Sequence, residues 1–246
     1  MDPLELSARF ALPPNSRRYC GKRTFAKALS AFLWARSPSS RKLLESELKK
    51  FKAHYSYLSL IARANNLSPF SPGVSEALWL GNKLLDKVRN RDLQKLIAQD
   101  FNGPSLLAPK KARAIASLIP ARALPHHSFH PLFIGSITGV VRRSLPVADS
   151  CRPSWGKVVS ANGQSALLKS QTLVRKAGTL ILIPSLRKVK LSCAGIQLIS
   201  SPKKGDLLAT HWGIATMKLT RMQAKSLEKY TKLNLLAANT LGKRLK

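Results

Sequence analysis

The residues best suited to chemistry in this chain are thiols and imidazoles. Cys151 stands just ahead of a Trp155-Gly156-Lys157-Val158-Val159 stretch, and His211 stands ahead of Trp212-Gly213 in a later Gly205–Met217 stretch. A thiolate binds soft metal centres, and the neighbouring Arg152 and Lys157 are expected to lower the Cys151 pKa by favouring the anion. The plain alternative is a half-buried cysteine packing at a strand end. His126, His127 and His130 gather three of the chain's five histidines within five residues. Imidazoles are ligands for iron, nickel and zinc, but this spacing lacks the glutamate of a metalloprotease helix and is flanked by Pro125 and Pro131. The competing reading is a turn whose histidines bond to backbone. Cys20 lies far off and reaches these histidines only if the first half of the chain folds back, while Cys193 is expected to pack. No C-x-x-C pair, phosphate-binding glycine loop or nucleophile elbow is present, and the eleven acidic residues form no convincing acid/base pair. The chain is therefore expected not to be an enzyme.

These donors need elements to hold them, and the elements read as a small barrel. Asn162-Gly163 is a strong hairpin signal, and Thr179–Ile183 and Leu186–Leu191 read as two short strands. A Gly205-Asp206 turn feeds the strand that carries His211. If the first and last strands pair antiparallel, the start of one lies beside the end of the other, which brings Cys151 and His211 to one end. Alternation along that strand leaves open whether His211 points in or out. Gly156 and Gly213 are expected to leave room for a bulky ligand or a partner chain, and Trp155 and Trp212 are candidate partner contacts. A helix follows, opened by Thr220 and Gln223 as a capping box and striped by Leu227, Tyr230, Leu233, Ala237 and Leu241.

The first half reads as helical. Residues 1–40 read as an irregular stretch, with Pro13-Pro14-Asn15 and Tyr19-Cys20-Gly21 as turn material. Ser37-Pro38 offers a cap to one helix lined by Leu44, Leu48, Phe51, Tyr55, Leu58 and Ala62. A second helix takes Val74, Leu78, Leu85 and Val88, with Gly81 allowing close approach. Arg91–Phe101 continues it or makes a third, Asn102-Gly103-Pro104 is a stop, and Ala112–Ile119 is a further piece. Leu132–Val141, with Gly135 and Gly139, reads as a strand pair or a bulged strand. The expected class is α+β: a helical N-terminal domain over 1–124, then a small OB-like β-barrel with a closing helix over 125–246.

Composition bounds the rest. With 246 residues and 44% hydrophobic side chains, the chain can bury a core without staples, and three scattered cysteines argue for a reducing compartment. Asp2 and Glu5 argue against a signal peptide, and no apolar run reaches the roughly 18 residues of a membrane span. A soluble, cytoplasmic protein is expected. The net charge of +31 predicts attraction to polyanions, so a basic OB-like barrel binding nucleic acid is the second reading. Against it, aromatics are only 7%, and the barrel offers Trp155 and Trp212 but no row of stacking rings.

The segment from CRPSWGKVV to GDLLATHWGIA resembles the HypC/HupF hydrogenase assembly chaperones. Those proteins are small barrels with a cysteine ahead of a Gly-Lys-Val-Val segment and a closing Gly-Asp-hydrophobic-His-x-Gly-x-Ala segment. The matching residues are Cys151, Gly156, Lys157, Val158, Val159, Gly205, Asp206, His211, Gly213 and Ala215. The resemblance implies a non-enzymatic metallochaperone whose Cys151 binds the iron of a cyanide- and carbonyl-bearing fragment, with His211 close to it in function. The implied partners are a hydrogenase large-subunit precursor or a maturation scaffold protein. In those chaperones the cysteine is the N-terminal residue after Met removal, whereas Cys151 is internal and offers no α-amino group. The whole chain is also similar to an uncharacterised family found near nickel–iron hydrogenase genes, through PPNSRRYCG, ALWLGNKLLDKV, PHHSFHPLFIGSITG, CRPSWGKV and HWGIATMKLT.

Overall fold

Asp2 opens the first helix, α1 (Pro3–Ser16), in the computed structural model, which describes residues 1–101, 107–135 and 144–244. Its carboxylate accepts from the backbone N–H groups of Leu4 and Glu5 at 2.9 and 3.0 Å, and Pro3 fills a position where no N–H is needed. The expected irregular stretch over 1–40 is thus corrected, because α1 and α2 (Arg23–Ala35) occupy most of it. Pro13 and Pro14 lie inside α1. Proline has no N–H, so the Arg9 and Phe10 carbonyls lose their donors four residues on. Both faces of α1 are buried. Leu4, Ala8 and Leu12 pack with Phe25, Leu29 and Phe32 of α2, while Leu6 and Phe10 join the largest apolar cluster.

Ser37 caps α3 (Pro38–Lys50) by accepting from the Ser40 N–H at 3.2 Å. The single helix expected beyond it is two, because Phe51 leaves helical geometry (φ −83°, ψ 79°) before α4 (Lys52–Ala64) begins. The Phe51 ring turns toward Phe25, 5.0 Å between centroids, and this packing overrides the continuous apolar stripe. Helix α5 (Pro72–Trp79) stops short of Leu85 and Val88. Gly81 has φ +82°, and a Cβ there would sit 2.2 Å from the Tyr230 ring, so a side chain is excluded twice over. A 3-10 turn (Lys83–Lys87), α6 (Asn90–Gln99) and α7 (Pro109–Ser117) complete this half. The expected Asn102-Gly103-Pro104 stop lies outside the described residues.

The expected strand over Leu132–Val141 is not formed in its described part. His130–Ile134 makes one turn of π-helix, and residues 136–143 lie outside the described ones. Leu132, Phe133 and Ile134 are all buried, and a short run buried on every side carries no period to separate strand from helix. Ser144 then caps α8 (Leu145–Cys151). Among the described residues the strands begin at Ser154.

Five strands close the barrel: β1 (Ser154–Ala161), β2 (Ser165–Lys176), β3 (Thr179–Lys190), β6 (Leu207–His211) and β7 (Ile214–Leu219). Between β3 and β6 sits a small hairpin, β4 (Ser192–Cys193) with β5 (Ile196–Gln197). The order β1-β2-β3-β7-β6 returns to β1, with β3 and β7 parallel, which is the Greek-key order of an OB-type barrel. The two short runs expected between 179 and 191 are one long strand, paired with β2 across a tight Ala177-Gly178 turn (φ 47° and 79°). Gly156 is not open space: a Cβ there would lie 2.9 Å from both the Leu168 Cβ and the Lys169 carbonyl, so it lets strands close on each other. Helix α9 (Arg221–Arg244) opens with the reciprocal Thr220–Gln223 pair, both bonds 3.1 Å. The fold is α+β: helices, a closed five-stranded barrel and a C-terminal helix. The largest apolar cluster draws Phe10 and Leu78 from the first half, Met217 from the barrel and Leu227 from α9.

Candidate metal centre

Cys151 is the last residue of α8, and the polar groups around it fix where it ends. Asp149, buried, accepts from the fully buried Arg152 guanidinium at 2.8 Å, from Arg187 of β3 and from the Leu173 N–H of β2 at 3.1 Å. The Trp212 backbone N–H donates to the Ser150 carbonyl at 2.9 Å. Arg152 is therefore committed to Asp149 and to the Gln171 carbonyl, and Lys157 is exposed on β1. Neither acts on the thiol as expected. Burial is the largest influence and pushes the Cys151 pKa up to about 12; the nearby Cys20 thiol adds to it, and the Trp212 indole opposes it weakly. Burial thus works against the anion that the two cations are expected to favour.

His211 ends β6, whose register with β1 pairs Thr210 with Ser154. A register shift between Ala209 and Thr210 re-aims the strand just before it. The ring points to the helical half. Its Nδ1 lies 2.6 Å from the Phe10 carbonyl and its Nε2 lies 2.8 Å from the Cys151 carbonyl. Pro14 explains the first contact, for it leaves the Phe10 carbonyl without a helical donor. Burial holds the His211 pKa down at about 4, against the pull of both carbonyls toward the charged form. A neutral ring has one proton, which is assigned to Nδ1 because the Phe10 carbonyl is the closer of the two acceptors. Nε2 then presents a lone pair to the Cys151 carbonyl, an opposition that a proton or a metal ion relieves.

His127 completes the group. Its backbone N–H donates to the Leu78 carbonyl at 2.7 Å, and its ring lies over Trp79, 4.2 Å between centroids, and edge-on to His211 at 5.4 Å. Its buried Nε2 has no hydrogen-bond partner, and burial holds its pKa well below the usual histidine value. Donor atoms of His127, Cys151 and His211 all lie within 4.8 Å of one another. These three share a cavity of about 330 Å3 with Cys20, His54 and His130. The His54 Nε2 is likewise buried and unpartnered, and the His130 Nδ1 lies 3.5 Å from the Tyr57 hydroxyl.

The other expected site residues lie elsewhere or act differently. His126 stands outside the three-donor group: its Nδ1 accepts from the Ser128 hydroxyl at 2.7 Å, and its Nε2 faces the Trp79 carbonyl at 3.3 Å. Trp155 packs half-buried against the main cluster. Trp212 is buried beneath Tyr19, stacked at 4.2 Å. Cys193 packs, with Ser16 Oγ 3.5 Å from its sulfur. His54 carried no sequence signal, since it sits alone in an amphipathic helix. Cys20 gains the site because α1 reverses direction at Arg17–Lys22 and returns it to the histidines.

Over residues 3–244 the chain matches the model of a family of unknown function, DUF6390, and it belongs to that family. No curated protein and no solved structure matches it.

Proposed function

We propose that this member of the family is a non-enzymatic metallochaperone of nickel–iron hydrogenase maturation, holding iron through Cys151. The observation that supports the reading best is the meeting of His127, Cys151 and His211 donors within 4.8 Å. One thiol and two neutral imidazoles suit a borderline transition metal such as ferrous iron, and the unpartnered His127 Nε2 is a donor with no other occupation. The resemblance of the barrel ends to the assembly chaperones supplies the cargo, an iron fragment bearing cyanide and carbonyl. The residues divide the work. Cys151 loses its thiol proton to bind, His127 and His211 offer Nε2, and the Phe10 carbonyl holds the His211 tautomer. Cys151 is half-buried, and transfer to a large-subunit precursor or scaffold protein draws on that partial exposure.

The test is anaerobic co-purification with the maturation partners, followed by infrared spectroscopy of bound cyanide and carbonyl. The bands are expected in the unaltered protein, absent in Cys151→Ser and weakened in His211→Ala. Bands of equal strength in Cys151→Ser, or none in the unaltered protein, would overturn the chaperone reading. The net charge of +31 keeps nucleic acid as the second reading; it predicts a saturable, selective complex indifferent to Cys151→Ser.

A further inference from the structure

A bare divalent ion, one that brings no cyanide or other anion of its own, meets a problem of charge at the three clustered donors. Cys151 supplies one negative charge and the neutral imidazoles none, which leaves a surplus positive charge in a buried space. Among the described residues no carboxylate lines this cavity, and the whole chain carries +31. An unbalanced charge in such surroundings is costly, so a second anion is required close to the first. Among the lining residues Cys20 is the thiol able to supply it.

The segment that carries Cys20 holds it on the wall of this cavity, outside the three donors that lie within 4.8 Å of one another. It leaves α1 at Arg17 and reaches α2 at Arg23. The Tyr19 N–H donates to the Pro14 carbonyl at 2.9 Å, and the Tyr19 ring stacks on Trp212 at 4.2 Å. Arg17 donates to the Trp212 carbonyl. Gly21 follows with φ +73°, where a Cβ would fall 2.1 Å from Asn15 Oδ1, so only glycine lets the chain turn so tightly behind Cys20. Trp212 itself takes φ +52°, rare for a bulky side chain, and that turn conformation sets its indole beneath Tyr19 and beside the Cys151 thiol. A fully independent sign of an unfilled site is His54, 4% exposed, whose Nε2 faces no partner on the wall of the same cavity.

We propose that Cys20 is a second sulfur ligand, carried over the His127–Cys151–His211 group by a strap that the Tyr19–Trp212 stack latches, so that a divalent transition metal is bound as a neutral two-thiolate, two-imidazole centre. Binding releases both thiol protons to solvent, and the ion's two charges are matched by the two thiolates. The ligand class is a thiophilic divalent ion, with tetrahedral geometry open to it. This rests on the metal site proposed above and adds a ligand to it for a bare ion; a fragment that brings cyanide carries its own counter-charge.

Cobalt(II) is the probe, because its sulfur-to-metal charge-transfer absorption scales with the number of bound thiolates. The full chain, Cys20→Ser and Cys151→Ser are titrated anaerobically, and sulfur neighbours of cobalt in the unaltered protein are counted by X-ray absorption. Two sulfurs per cobalt are expected, with the charge-transfer intensity falling to about half in each single variant. One sulfur per cobalt in the unaltered protein, lost in Cys151→Ser but intact in Cys20→Ser, overturns the role of Cys20 and leaves the site itself standing. No cobalt bound, or cobalt bound without sulfur, overturns both. The sulfur count needs no variant and decides the matter even if Cys20→Ser fails to fold.

Discussion

At the residue scale the histidines behave as a buried set. Burial holds the pKa of His54 and His126 at about 3, of His130 and His211 at about 4, and of His127 well below its usual value. In the unfolded chain each titrates near about 6.5. Between these values the unfolded state binds more protons, so stability is full above about pH 6.5 and declines as pH falls toward 4. The slope is up to about 1.4 kcal/mol per pH unit for each histidine. Denaturant titrations from pH 7 to 4.5 should show it, and His126→Gln should reduce the slope by one proton whatever it does to absolute stability. A flat profile over that window contradicts the buried, neutral set. The carboxylates of Asp2, Glu47, Asp92 and Asp206 lose their contribution only at lower pH: in Asp2 burial is outweighed by the hydrogen bonds and the Arg41 charge together, and the other three are held low by hydrogen bonds and nearby cations. Local sequence made the histidine cluster conspicuous but could not say which ring faced the cysteine. His126 and His127 are neighbours on an irregular segment, and they part because Ser128 and Trp79 capture the first. Pro14 read as a breaker; its effect is to free the Phe10 carbonyl for His211, a consequence visible only once α1 meets the barrel.

At the element scale the site depends on α8 ending where it does, and Asp149 sets that end. Its carboxylate serves two guanidinium groups and one strand N–H within the fold. Asp149→Asn leaves Arg152 buried without its counter-charge, and the expected loss is about 3 kcal/mol in denaturant unfolding. A loss below about 1 kcal/mol would show that α8 is positioned by its apolar contacts instead. The barrel was legible through Asn162-Gly163, the Thr220–Gln223 cap and the Gly205-Asp206 turn, since each of these is a local signal. The helix breaks at Phe51 and Gly81 were not. Both are imposed by distant rings, Phe25 and Tyr230, and an apolar stripe runs through them without interruption. The Leu132–Ile134 turn failed for another reason, being buried all round and so without a period to read.

At the scale of the whole molecule, the cavity lies where the helical half meets one end of the barrel, and neither half builds it alone. Arg9 of α1 donates to the Leu198 and Thr216 carbonyls at 2.5 and 3.2 Å, and Phe10 joins the cluster that runs through the barrel to α9. Cys20 and His54 come from the first half, Cys151 and His211 from the second. Among the described residues no helix is long and apolar enough to cross a membrane. The excess of cations makes salt-sensitive retention on any polyanion the expected behaviour, so retention alone does not distinguish the two readings. The most direct measurement is the iron content of the full chain after anaerobic reconstitution with ferrous iron and removal of the excess, read by elemental analysis. One iron per chain is predicted for the unaltered protein, with at least a tenfold weaker hold in Cys151→Ser and in His127→Ala while both keep the unaltered circular dichroism. Iron retained equally by folded Cys151→Ser, or by none of the three proteins, would contradict a metal centre at His127, Cys151 and His211.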